Sequence, residues 1–270
     1  IKCHVTKNSL IARAENMPID ILFVRDDDIP TMVMDGVCDL GIVGENALLE
    51  KALSQKNNGA SSQYDLIMKL GFGICRLSIA VPEESHIEKI AELDNLRIAT
   101  SYTYLLQQYL IEKSIKAHVL ELAGSVEIAP KLAMADAICD LVSTGRTLEE
   151  NNLKEIITIF NSQAVLIQSQ VDLSEEKKEI IELLCRRFEG VIQAQESKYI
   201  MFHAPRSALE KIKSILPGIE MPTVLPLGGC DDQVVVHLVS AEAIFWKTLE
   251  GLKQVGASSI LVLPIEKMMC

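Results

Sequence analysis

At 270 residues the chain is too long for one small core and implies two or three domains. Hydrophobic residues at 49% exclude a disordered chain, and a net charge of -11 excludes a broad basic face for nucleic acid while leaving room for a local anion site. No apolar run reaches the ~18 residues of a membrane span, and seven cysteines, an odd number without a CxxC, outline neither a disulfide framework nor a zinc set. No membrane partner is therefore expected, and cysteine usage fits a reducing cytoplasm.

The chain opens at Ile1 inside an apolar–polar pattern with no signal-peptide signature, so a further N-terminal segment is expected before it. Pro18–Val24 reads as a strand. Asp28 and Pro30 open a helix, as cap and first-turn residue. Val37–Gly44 is a short buried strand, with Cys38, like Cys139, expected as a small core hydrophobe. Glu45 and Asn46 follow at its C-terminal end, where open α/β sheets bind ligands. That tip is either a site or a capped turn into a helix near Ala47–Lys51. Residues 54–64, with Asn57, Asn58, Gly59, Ser61 and Ser62, read as a polar surface loop. Leu66–Leu70 and Cys75–Val81 are strands leaving one lobe and entering another. Arg76 interrupts the second, as either a structural ion-pair partner or a ligand-phosphate contact.

Leu96–Ser101 is a strand ending in hydroxyls, Tyr104–Lys113 an amphipathic helix, Val119–Leu122 a strand and Ile128–Ala135 a helix. This strand–helix rhythm predicts a parallel or mixed sheet covered by helices. After residue 150 come strands Glu155–Phe160 and Ala164–Gln168, then a helix capped by Ser174 that runs to about Ala194. From Ser197 the pattern becomes βαββαβ, the ferredoxin-like order: Lys198–Ala204, Arg206–Ile215, Thr223–Leu227, Gln233–Val239, Ala241–Val255 and Ser259–Pro264.

The stretch Ala137–Leu148 carries the chemistry. An apolar run holds Asp140 near its end and gives way to Ser143, Thr144, Gly145, Arg146 and Thr147. Gly145 lets backbone approach a ligand without a Cβ, successive N–H groups can form an anion nest, and the hydroxyls add donors. Asp140 is placed to accept from sugar hydroxyls. The pattern suits a ribose 5-phosphate; it also suits an ordinary strand-to-helix turn with a Ser/Thr cap.

With those residues in view, the chain resembles the long form of ATP phosphoribosyltransferase over essentially its whole length. The resemblance rests on Ala14–Leu22, Arg25–Pro30, Asp39–Asn46, Gly124–Glu127, Asp136–Gly145, Glu196–Met201 and Gly256–Met268, in order and at family spacing. It implies an α/β fold with a two-lobed, periplasmic-binding-protein-like catalytic core and a C-terminal ferredoxin-like (ACT-like) βαββαβ domain. The expected division is 1–74 with 152–195 as lobe I, 75–151 as lobe II with the phosphate loop, and 196–270 as the regulatory domain. The implied reaction joins N1 of ATP to C1 of 5-phosphoribosyl 1-diphosphate and releases diphosphate, with Mg²⁺ carried on the sugar diphosphate. Histidine is the implied effector, and the implied assembly is a hexamer built from dimers.

In that picture Ser143, Thr144, Gly145, Arg146 and Thr147 hold the 5-phosphate, Asp140 and Glu127 are catalytic, and Glu45 and Arg76 line the cleft. Ser258 and Ser259, and the 228–232 turn, are either effector contacts or ordinary turn residues. An oxocarbenium-like transition state calls for positioning and charge neutralisation rather than a nucleophile. The five histidines are scattered and form no ligand cluster. Departures from the family pattern are the absent first strand and helix, Thr103 in place of a proline, Gln107 and Gln108 in place of a Lys-Arg pair, and Gly228–Gly229–Cys230. A second reading is therefore a truncated or divergent homologue that binds ligand without catalysis; a solute-binding receptor is disfavoured by the missing export signal.

Overall fold

A short antiparallel hairpin, β1 (Ile11–Arg13) with β2 (Asp20–Leu22), leads into the first sheet-forming segment. The structure, a computed structural model, describes residues 1–4, 9–59, 63–216 and 221–268. The chain divides into two units, Ile1–Asp172 and Leu173–Cys270. β2 is shorter than the expected strand Pro18–Val24, because the Ile19 N–H bonds back to the Met17 carbonyl and turns the chain there.

The first unit continues with α1 (Ile29–Met34), β3 (Leu40–Gly44), α2 (Glu45–Asn57), β4 (Tyr64–Lys69), β5 (Cys75–Pro82), β6 (Arg97–Thr100), α3 (Thr103–Glu112), β7 (His118–Glu121), β8 (Ala137–Val142), α4 (Arg146–Glu150), β9 (Leu153–Ser162) and β10 (Ala164–Ser169). Two sheets organise it. The smaller has the order β3-β10-β4 and is antiparallel; the larger has the order β7-β6-β8-β5-β9, parallel among β7, β6 and β8 and antiparallel beyond. Alternation along the central strands gives the larger sheet two apolar faces. Leu77, Ile79, Val81 and Cys139 pack with Leu106 and Leu110 of α3 on one; Ala80, Ile138 and Val142 pack with Val126, Ala129 and Leu148 on the other.

Local departures have local causes. Asp28 precedes α1 and Pro30 sits in its first turn, but Asp28 makes no side-chain cap bond: its φ/ψ of -85°/-27° is already helical, not the extended shape a cap needs. Residues 54–57, expected as loop, form the last turn of α2, since Gln55 and Lys56 favour helix and the chain leaves only at Gly59, φ +76°. Ser61 and Ser62 lie outside the described residues. Cys139 is fully buried as expected, whereas Cys38 is half-buried.

The expected helix Ile128–Ala135 does not form. A 3₁₀ turn, Val126–Ile128, is followed by a single turn that closes at Ala133, φ +53°. The Ala133 N–H bonds the Pro130 carbonyl and the Met134 N–H the Ala129 carbonyl, each at 3.0 Å, a paired helix-ending arrangement. Finally, β9 pairs along its length with β5, so the chain returns to the smaller sheet at Gln163 rather than near residue 152.

In the second unit α5 (Glu175–Gln195) starts as expected, with Ser174 Oγ accepting the Lys177 N–H at 3.4 Å, and it groups with residues 173–270. Then come β11 (Ser197–Pro205), α6 (Leu209–Ile215), β12 (Thr223–Leu227), β13 (Cys230–Ala241), α7 (Glu242–Gln254) and β14 (Ser258–Pro264). The antiparallel order β12-β13-β11-β14 is the ferredoxin-like one, and Ile200, Phe202, Val234, Val236 and Leu252 fill its core. Gly228 and Gly229 make the two-residue hairpin turn between β12 and β13, with Gly229 at φ +81°. The fold is thus α/β: a core built on two sheets, and a C-terminal βαββαβ unit.

Candidate active site

β8 delivers the chain into the Ser143–Thr147 turn. Gly145 stands at φ +86°, ψ -8° just before α4, a shape that costs an L side chain energy and glycine nothing. A Cβ built on Gly145 would meet no heavy atom within 4 Å, so the face of this backbone is open. Ser143, Thr144, Arg146 and Thr147 are exposed around it. Arg146 donates its N–H to Thr144 Oγ1 at 3.5 Å, and its guanidinium pairs with Glu150 one turn on at 2.8 Å.

Asp140 lies two residues before Val142, directly opposite Ser78 of β5. Its Oδ1 accepts the Leu141 N–H at 2.8 Å. Burial pushes its carboxyl above the ordinary 3.8, and the charge of Glu127 pushes the same way against that hydrogen bond. Glu127 sits on the 3₁₀ turn whose Val126 packs against the same sheet face. The structure therefore brings Asp140, Glu127 and the Ser143–Thr147 turn to one end of the larger sheet.

Arg76 is both an ion-pair partner and a loop contact. Nε and Nη2 bind Glu155 Oε1 and Oε2 at 2.7 and 2.6 Å, and Nη1 reaches the Ser143 carbonyl at 3.3 Å. Glu155 also accepts from Ser78 Oγ at 2.7 Å and Thr158 Oγ1 at 3.1 Å. Arg76, helped by those hydroxyls, holds the Glu155 carboxyl down to about 2 despite some burial.

The lobes meet through polar side chains. Asn46, 5% exposed, donates from Nδ2 to the Tyr102 hydroxyl at 3.0 Å and is itself held by Ser162, whose Oγ accepts the Asn46 N–H at 3.1 Å and donates to Oδ1 at 2.8 Å. Burial pushes the Tyr102 hydroxyl well up, and Asp140, Asp27 and Asp26 add to it, so acids from both lobes face this one group. Glu50 of α2 receives the first N–H groups of α3, from Tyr104 and Leu105. Glu45 follows β3 as expected but pairs with Lys69 at 3.3 Å.

Ser258 and Ser259 belong to the C-terminal unit. With Trp246, Leu249, Lys253 and Ile260 they line a cavity of about 350 Å³. Glu155, Tyr102 and Glu50 carry site geometry that motif reading missed. The signal for Glu155 was present, an acid beside the apolar run Ile156–Phe160 of β9, but its pairing with Arg76 spans 79 residues.

Chemically, the site offers an open backbone turn with hydroxyls for an anion, a half-buried carboxylate beside it and a second acid close by. No helix among the described residues is long and apolar enough to cross a membrane.

Residues 25–190 match the family described as ATP phosphoribosyltransferase (HisG), and residues 194–267 match the family described as the HisG C-terminal domain. Among solved structures, the ATP phosphoribosyl transferase (HisG:HisZ) complex from Thermotoga maritima is 29% identical, covering 67% of this chain and 82% of that one, with a TM-score of 0.54. The alkanesulfonate-binding protein SsuA from Xanthomonas axonopodis pv. citri, bound to MOPS, is 15% identical over 59% of this chain and 58% of its own, with a TM-score of 0.40, too distant for any conclusion about function.

Proposed function

The chain belongs to the ATP phosphoribosyltransferase family, pentosyltransferases of the first step of histidine biosynthesis that join ATP to 5-phosphoribosyl 1-diphosphate, and on that premise we propose which of its residues do the work. The Ser143–Thr147 turn takes the 5-phosphate of 5-phosphoribosyl 1-diphosphate. The observation that carries this is Gly145: positive φ, open space above its backbone, and hydroxyls on both sides.

Asp140 receives the ribose hydroxyls and, when ionised, stabilises the positive charge that develops on the sugar as diphosphate leaves. Glu127 acts beside it. Arg146 and Thr147 supply donors at the start of α4, Arg76 supports the turn from behind, and Glu45 lines the cleft from the smaller sheet. Residues 1–74 and the segment returning after lobe II form one wall of that cleft, and residues 75–151 form the other. Bound with the sugar diphosphate, Mg²⁺ would supply charge neutralisation, and the carboxylate oxygens of Asp140 and Glu127 are hard donors that would fit its retained waters. No protein nucleophile is needed, because holding N1 of ATP in line with C1 supplies the rate.

The C-terminal unit takes histidine as an inhibitor, with Ser258 and Ser259 as candidate contacts. Their position on the wall of a 350 Å³ cavity supports this. The working assembly is a homo-oligomer, dimer to hexamer, and the compartment is the cytoplasm.

The test mixes the protein with ATP, 5-phosphoribosyl 1-diphosphate and Mg²⁺ and follows N1-phosphoribosyl-ATP. Gly145→Val is the companion variant: it strains the backbone by about 1–2 kcal/mol and sets a branched side chain where phosphate must sit. Weaker binding of 5-phosphoribosyl 1-diphosphate by a folded variant is expected. Product formation with unchanged affinity in that variant would remove the turn from the site, and ligand binding without product would favour the non-catalytic reading.

A further inference from the structure

We propose that Glu155 is a positioning residue for the anion-binding turn: through Arg76 it fixes the Ser143 carbonyl and so sets the backbone that receives the 5-phosphate. The inference rests on the assignment of Ser143–Thr147 as the phosphate turn. Three strands converge here. Arg76 on β5 lies opposite Val142 of β8, the last strand residue before the turn, and Glu155 comes from β9 on the other side of β5.

A guanidinium beside a phosphate turn would ordinarily be read as a direct phosphate ligand. The geometry here spends it differently. Its Nε and Nη2 edge is occupied by both Glu155 oxygens at 2.7 and 2.6 Å, a bidentate pair, and Nη1 is directed at the Ser143 carbonyl at 3.3 Å. Glu155 is locked in turn. Ser78, 1% exposed, donates to it at 2.7 Å, and Thr158 donates at 3.1 Å. In the β5–β9 ladder, which shifts register between Leu77 and Ser78 and between Ile79 and Ala80, Thr158 lies opposite Ser78 and Glu155 opposite Ala80, and both side chains meet Ser78 Oγ. Ser78 also lies opposite Asp140, so one polar row supports the turn and the catalytic carboxylate together.

The two roles for Arg76 predict opposite signs. If Arg76 is scaffold, Glu155→Gln loosens the Ser143 carbonyl and weakens binding of 5-phosphoribosyl 1-diphosphate. If Arg76 is a phosphate ligand, the same change frees its charge and tightens binding. Calorimetric titration of the full chain with 5-phosphoribosyl 1-diphosphate and, separately, ATP reads this directly. For Glu155→Gln we expect Kd for the sugar diphosphate to rise about tenfold, the loss of one charge-assisted contact, with Kd for ATP within about twofold. Ser78→Ala removes one bond to Glu155 and is expected to move the same constant about two- to threefold; it carries the test if Glu155→Gln does not fold. Adding Glu155→Gln to Gly145→Val should weaken binding no further, since both act on one turn. Unchanged or tighter binding in Glu155→Gln, or equal losses for both ligands, overturns the proposal. Unchanged binding in Gly145→Val would instead overturn the phosphate-turn assignment beneath it.

Discussion

Glu50 and Tyr104 join helices from the two lobes: the Glu50 carboxylate on α2 accepts the Tyr104 N–H at 2.8 Å, and its second oxygen accepts Leu105 N–H at the same distance. The residue before α3, Tyr102, offers no side-chain cap, so an acid 54 residues away supplies what the local sequence lacks. A carboxylate at a helix N-terminus is favoured by both the free N–H groups and the helix dipole.

Glu50→Ala should therefore lower stability by about 1–2 kcal/mol, measured as a lower urea midpoint at unchanged slope. The pH dependence has a definite sign. Burial raises the Glu50 carboxyl above its ordinary 4.5, outweighing the backbone bonds that lower it. The folded state then holds this proton to higher pH than the unfolded chain does, so its contribution is greatest below 4.5 and declines as pH rises through the raised value. Relative to Glu50→Gln, the parent should lose stability across that window. A difference between the two that stays flat with pH would mean that Glu50 does not titrate in the folded protein as its burial demands.

Asp140→Asn keeps shape and removes charge. We expect a small rise in Kd for 5-phosphoribosyl 1-diphosphate and a fall in kcat of about 10²-fold or more, the scale seen when one preorganised charge-stabilising group is lost. Because burial and Glu127 raise the Asp140 carboxyl above 3.8, parent kcat/KM should climb with pH as that group ionises. The acidic limb should vanish in the variant. Equal kinetics for the two proteins would take Asp140 out of the reaction.

Ala133 closes the turn after Val126–Ile128 at φ +53°, where a Cβ is unfavourable. Ala133→Gly is expected to stabilise by about 0.5–1 kcal/mol after the entropy lost by glycine is counted. Melting should shift up by about 1–3 °C. A lower Tm would show that surrounding contacts already compensate the strained backbone.

Histidine should inhibit noncompetitively with 5-phosphoribosyl 1-diphosphate, since residues 197–270 form a βαββαβ unit with its own core. Removing those residues should abolish histidine binding in calorimetry while circular dichroism shows a folded core, and Ser258→Ala with Ser259→Ala in the full chain should weaken it. Parent affinity in the shortened chain would move the effector site into the first unit.

Much of this was legible locally. Ala137–Val142 reads as a buried strand because its apolar run is short and flanked by turn residues, and Gly145 marks the one backbone shape that an L residue resists. Ser174 and the Glu175–Glu176 pair announce α5 by capping chemistry, and the alternating strands and Gly228–Gly229 turn announce the βαββαβ order. Short-range rules suffice where the partner groups lie within a few residues.

Other features depended on distant pairing. The sequence left Arg76 open between structural and ligand-facing roles; the β5–β9 ladder sets Glu155 opposite Ala80, on the neighbouring strand, from where its side chain reaches Arg76. The same holds for Asn46 with Tyr102, 56 residues apart, and for β9, whose apolar pattern fits either sheet until β5 pairs with it. Sequence by itself determined most of the strands and helices and the glycine turn after β8, because those follow from side-chain period and backbone preference, while the helix it suggested over Ile128–Ala135 and the loop over 54–57 gave way to local hydrogen bonding. Only the tertiary structure decided which charges face each other, because register and burial are set by the packing of whole sheets.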